Sequence, residues 1–307
     1  MQESFYRYMK VGIVHFMAYP QVLKGEGPIL ETLEKILSDN FFTAIEVTWM
    51  KDDAVLKKAK EMLASAHVAV GFGSQPPLLT QKLDLNSSIP AERKKAVDEC
   101  KRSIDTAIFL NAQGVAFLSG KDPGEPQRKE AHKLLIDSLR QLCSYARSKS
   151  GGRLKVILET FDRQPFGKNC LIGPSEEAVE IAKALRIEYP GFGLMLDLSH
   201  LPLLNETSKK AITTAGDYLV QAHIGNCIMK DTQHPARGDF HPRFGVPEGE
   251  NDVAELTEFL KTLLETKFLD TSKPPIVSFE VAPMFGESSE IVIANAKRVL
   301  QEAWTMV

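Results

Sequence analysis

The chain has 307 residues, 43% of them hydrophobic and 25% charged, an ordinary soluble balance that excludes disordered and fibrous classes and allows one large α/β barrel or two smaller domains. Its net charge of -3, with both signs spread along the chain, argues against a nucleic-acid partner, because phosphate neutralisation dominates that affinity. Four scattered cysteines without a CxxC pair read as reduced thiols in a cytoplasmic protein, and no uninterrupted apolar stretch of about 18 residues exists to span a membrane.

Residues 1–8 read as an extension, since the first strand pattern begins at or just after Met9. From there, short apolar or β-branched runs alternate with long amphipathic stretches. VGIVHF (11–16) predicts the first strand, and PILETLEKILSDN (28–40) a helix with the stripe Ile29, Leu30, Leu33, Ile36 and Leu37. FTAIEVTW (42–49), VAVGFG (68–73), GVAFLSG (114–120) and KVILETF (155–161) predict the next four strands. Pro174 and Ser175 open a helix whose buried face is Ala178, Val179, Ile181, Ala182 and Leu185. FGLMLDLSH (192–200), YLVQAHIG (218–225) and PIVSFEVA (275–282) complete eight strands. Helices are expected over 251–268, capped by Asn251 or Asp252, and over 288–304.

Runs this continuously apolar suit strands covered on both faces, as in a parallel sheet. Eight of them, each followed by a helix, predict a single (β/α)8 TIM barrel over residues 9–307. An open doubly wound sheet ranks lower, because no GxGxxG turn follows the first strand.

In such a barrel the C-terminal strand ends carry the chemistry. Strands five to eight deliver Glu159, Asp197, His223 and Glu280 to that rim. Each interrupts an apolar strand, where an unpaired charge costs several kcal/mol. Three carboxylates converging there would repel unless a cation sat among them. The oxygen-rich quartet suits one divalent ion, Mn²⁺ or Mg²⁺, with Co²⁺ and Zn²⁺ also compatible. His15 and Trp49, at the ends of strands one and two, stand where a sugar ring could pack or where barrel core would lie. Glu46, inside strand two, reads as structural. No lysine ends strand six or seven, and Ser199 lacks a nucleophile elbow, so Schiff-base and serine-hydrolase chemistries find no support.

The spread Glu159, DLSH (197–200), AHIG (222–225) and FE (279–280) resembles the xylose-isomerase-like TIM-barrel superfamily. That grouping includes ketose 3-epimerases, hydroxypyruvate isomerase, inosose dehydratase and endonuclease IV. The resemblance implies a metal-dependent sugar isomerase or epimerase, with Glu159 and Glu280 as both metal ligands and acid/base pair, and His200 as a contact to a substrate oxygen. It implies a small-molecule sugar substrate and a homo-oligomer. A keto-sugar, keto-inositol or keto-glycoside lyase is the alternative, since it begins with the same proton abstraction. An endonuclease IV-type phosphodiesterase stands lower: Asp239 and His241 match its DxH pair, but no histidine follows strand three or four. The arginine that trails the strand-seven histidine in ketose 3-epimerases is absent, and His241 or Arg243, in the polar segment 226–250, is expected to reach a sugar oxygen instead.

Overall fold

The computed structural model describes residues 3–163 and 166–307, so residues 1 and 2 of the expected extension lie outside it. Its strands are β1 (Lys10–Ile13), β2 (Ala44–Val47), β3 (Ala69–Gly73), β4 (Gly114–Phe117), β5 (Lys155–Glu159), β6 (Phe192–Asp197), β7 (Leu219–Gly225) and β8 (Ile276–Glu280). The helices are α1 (His15–Ala18), α2 (Ile29–Leu37), α3 (Asp53–Ala66), α4 (Gln75–Thr80), α5 (Pro90–Phe109) and α6 (Arg128–Ser150), then α7 (Ser175–Arg186), α8 (His200–Leu203), α9 (Ser208–Ala215), α10 (Val253–Glu265) and α11 (Ser289–Thr305).

All neighbouring strands pair parallel in the order β1-β8-β7-β6-β5-β4-β3-β2. At the remaining seam β1 and β2 meet through a bridge between Val14 and Glu46, and the Thr43 amide donates to the Val11 carbonyl at 2.9 Å. The result is a (β/α)8 barrel, as the alternating pattern predicts. Among the described residues no helix is long and apolar enough to cross a membrane, and all four cysteines are free and buried.

Most of the apolar core lies between the strands' outer faces and the helices, which is why the strands read as unbroken hydrophobic runs. Inside the barrel, Ala116, Ile157 and Met195 form a small apolar plug. Side chains two apart share a face, so Ile157 leads inward to Glu159 and Met195 leads inward to Asp197. The pleat thus aims the terminal acids at the axis. The extension folds back beneath the barrel: Phe5 is buried with its ring 5.7 Å from Phe41 and 6.2 Å from Trp304, and the Tyr6 hydroxyl donates to the Phe41 carbonyl at 2.8 Å.

Some edges differ from expectation. β1 ends at Ile13, and His15 opens α1 instead of closing the strand. The cap of α10 is Asp252, in a capping box with Glu255. Asn251 ties the ends of β6 and β7 together instead, its Nδ2 donating to the Leu198 and Gly225 carbonyls at 3.2 and 3.0 Å.

Candidate metal centre

Ligand-capable atoms of Glu159, Asp197, His223 and Glu280 all lie within 4.8 Å of one another, and all four side chains are buried. The ladder sets this up: Asp197 pairs with His223 across β6 and β7, and Gly225 pairs with Glu280 across β7 and β8. His223 Nδ1 is 2.5 Å from Glu280 Oε2 and 3.5 Å from Glu159 Oε1. On its far side, Nε2 donates to Glu46 Oε1 at 3.0 Å. That bond leaves Nδ1 facing the carboxylates, the arrangement in which an outer acid fixes the tautomer of a metal-binding imidazole. Burial opposes a charge on His223, but Glu46 and Glu280 hold its pKa well above the ordinary value.

The donor set fits a divalent cation. Glu159 Oε1 and Asp197 Oδ2 are buried with no hydrogen-bond partner among the described residues, a costly state that a cation would relieve. Oxygen predominates among the donors, as Mn²⁺ or Mg²⁺ prefer, and one imidazole keeps Zn²⁺ or Co²⁺ within reach. Gln75, at the start of α4, donates from Nε2 to Glu159 Oε2 at 2.6 Å and so fixes the orientation of that carboxylate.

Beside the quartet lies a second cluster. Ligand-capable atoms of Asp197, His200 and His241 also fall within 4.8 Å of one another. Asp239 Oδ1 lies 3.2 Å from His200 Nε2 and 2.5 Å from His241 Nε2, and Lys168 forms an ion pair with Asp239 Oδ2. Burial would raise the Asp239 carboxyl, but Lys168, His200 and His241 hold it well below the ordinary range. His200 donates from Nδ1 to the Thr160 carbonyl at 2.7 Å. Burial disfavours its proton, yet Asp239 and Asp197 lift its pKa to about 10. The Lys168 ammonium, over the ring of Phe161 at 4.8 Å, supplies a fixed positive charge here.

A cavity of about 370 Å³ opens above both clusters. Its polar floor comprises Glu46, Gln75, Lys168, His223, Asp239 and Glu280. Its walls are apolar, with Phe16, Leu79, Phe161, Phe240 and Met284 among them.

Several expected substrate contacts sit elsewhere. His15 is buried away from the cavity, its Nε2 2.8 Å from Thr32 Oγ1, and burial lowers its pKa to about 3, so it is a neutral core histidine. Trp49 donates from Nε1 to the Leu23 carbonyl at 3.0 Å and carries Lys51 over its ring at 5.0 Å. Arg243 donates from Nε to Glu287 Oε1 at 3.0 Å. None of the three lines the cavity, because each spends its polar group on a local partner. His200 and His241 are fully buried and likewise absent from the lining; they hold Asp239 and Asp197 in place. Glu46, Gln75 and Lys168 are the polar cavity residues that sequence reasoning missed. For Glu46 the signal was present, since it too is a charge inside an apolar strand. Gln75 and Lys168 stand in loop and helix contexts that carry none.

A buried quartet of three carboxylates and one imidazole that could hold a metal ion, at the C-terminal ends of β5–β8, marks the class: a parallel (β/α)8 barrel with a candidate metal site on its rim. The chain belongs to the xylose isomerase-like TIM barrel family, whose model matches residues 36–284. No curated protein matches it in sequence. A D-psicose 3-epimerase from Clostridium cellulolyticum H10, solved with D-tagatose, shares 19% identity over 97% of this chain and 96% of its own, with a TM-score of 0.65. A D-tagatose 3-epimerase-like protein shares 17% over 97% and 99%, with a TM-score of 0.72. An IolI protein binding a zinc atom shares 18% over 96% and 98%, with a TM-score of 0.71. At such identities the likeness establishes the fold.

Proposed function

We propose that this protein is a divalent-metal-dependent isomerase or epimerase of a ketose or keto-sugar. The observation that carries this reading is the convergence of Glu159, Asp197, His223 and Glu280 within 4.8 Å beneath a small cavity. These four would hold the ion, which when bound supplies Lewis-acid polarisation to a carbonyl and its neighbouring hydroxyl. The kinship with fold neighbours named as sugar epimerases supports the same substrate class.

The chain's own residues account for the proton. Burial would raise Glu280, but His241 and His223 pull its pKa below the ordinary carboxylate value, so it stays ionised at neutral pH and can accept a proton. Glu159, just below the cavity lining, is held through Oε2 by Gln75, which leaves Oε1 without a hydrogen bond and free to exchange the second proton. Lys168 and Asp239, both on the cavity floor, offer a donor and an acceptor to sugar hydroxyls. The apolar walls pack the carbon skeleton, and the carboxylates exchange their proton with solvent between turnovers. A phosphodiesterase would need histidines after β3 and β4; Gln75 and Ser119 stand there, each committed to a structural hydrogen bond.

The test is elemental analysis of protein purified without chelators, alongside His223→Ala, followed by ketose turnover in D₂O. About one Mn, Mg or Co per chain, lost in the variant, with deuterium entering the carbon next to the carbonyl, is the expected result. Elimination of a β-substituent after the same exchange would move the protein to the lyases. Failure to bind any divalent ion after reconstitution would end the proposal.

A further inference from the structure

We propose a second binding site, for a phosphorylated small molecule, on the face of the barrel opposite the metal centre. A groove of about 950 Å³ runs beneath the N-terminal ends of β1–β5. Its charged lining is Lys10, Lys60, His67, Arg153, Lys155 and Lys273. Among the described residues lining it there is no aspartate or glutamate. Among the described residues none of its five lysines and arginines forms a salt bridge, although Lys60 lies over the ring of Phe109 at 4.0 Å and the chain carries 40 acidic residues against 37 basic ones. The exposed Lys35, by contrast, pairs with Glu31 and Glu290.

This arrangement works against stability. Lys155 is half-buried at the start of β5, and burial together with Lys273, Arg186 and Lys10 lowers its pKa from the usual lysine value. The lower face of a TIM barrel ordinarily serves stability; Lys10, Lys155 and Lys273 also line an adjoining hollow that holds Asp217 and Asp270, but the groove itself carries no acid, so its cationic surface favours an anion. The catalytic cavity at the other end has the opposite character, with Glu46, Asp239 and Glu280 on its floor. An anion therefore distinguishes the two ends by charge alone. The groove also has uncharged parts: Gln113 and Asn111 offer amides, and Leu63 and Leu110 form apolar surface. A multivalent phosphate on an organic body matches that mixture better than a bare inorganic ion. Sugar phosphates and nucleotides share this chemistry.

The experiment is titration calorimetry of the metal-loaded protein at low salt with fructose 1,6-bisphosphate and, separately, ADP. The proposal expects binding of at least one, weakening as salt rises, with affinity at least about tenfold lower in Lys155→Gln/Arg153→Gln. The preferred probe tells the sugar-phosphate source from the nucleotide source. Lys155→Arg should restore binding, and unchanged circular dichroism and metal content of the double variant would show that it folds. Metal-free wild type should bind the same probe as well as metal-loaded wild type, which separates this groove from the metal cavity. Four results would overturn the proposal: no binding of either probe, undiminished binding in the double variant, affinity no greater than for sulfate, or binding of a single-stranded oligonucleotide alone.

Discussion

Glu46 offers a sharp test of how the metal centre is held. Its Oε1 accepts from His223 Nε2 at 3.0 Å, and the two side chains are 2% and 3% exposed, so water cannot replace either partner. Replacing Glu46 with Leu removes the acceptor and strands a buried N–H, at a cost of about 1–3 kcal/mol. Loss of such an outer-sphere partner lowers metal affinity by roughly 10–100-fold, equivalent to about 1.4–2.7 kcal/mol. Glu46→Gln keeps a carbonyl acceptor and forfeits only the charge assistance, so it should fall at the tenfold end of that range. Gly71→Ala approaches the same carboxylate from the side, since a Cβ there would lie 2.9 Å from Glu46 Cγ. It should weaken metal binding in the same direction with no change to any ligand. The assay is competition for Mn²⁺ against a fluorescent chelator, without substrate, on protein whose circular dichroism matches wild type. Mn²⁺ affinity for Glu46→Leu within about twofold of wild type would refute the reasoning and return Glu46 to a packing role.

Two further outcomes follow from the geometry. A Cβ on Gly225 would stand 2.4 Å from the Glu280 backbone carbonyl and 3.3 Å from His241 Nδ1. Backbone cannot yield as a side chain can, so Gly225→Ala should lose about 2–3 kcal/mol or more in urea unfolding and release metal, and unchanged stability would contradict this. Burial alone would raise the Glu177 carboxyl, but His132 and Arg163 hydrogen-bond it and hold its pKa at about 2. A depressed carboxylate stabilises the fold above its unfolded pKa, near 4.5, and that contribution disappears as pH falls toward 2. Glu177→Gln should therefore cost on the order of 2 kcal/mol at pH 7 and flatten the loss of stability between these limits, measured by denaturation across that window. An equally steep acid profile in the variant would assign that loss to other groups.

Strand positions and the convergence of four polar groups on one rim were legible from the amino-acid order, because both rest on local rules. An apolar run buried on two faces marks a parallel strand, and a charge inside it must have a partner. The side-chain period of two then carries Glu159, Asp197, His223 and Glu280 to the same inner face without knowledge of the closed barrel. Strand ends were less legible: VGIVHF is apolar but for His15, yet the chain turns at Val14 into α1, so His15 joins Thr32 instead of the cavity. The partners that give the quartet its setting lie far along the chain. Glu46 meets His223 across 177 positions, Gln75 meets Glu159 across 84, and Lys168 meets Asp239 across 71. Those meetings arise from barrel closure and from how the loops after β5 and β7 settle over it. The sequence alone determined which groups could not be left uncompensated in the interior. Only the tertiary structure decided which distant groups compensate them, because an ion pair or hydrogen bond depends on separation in space, and local patterns constrain only separation along the chain.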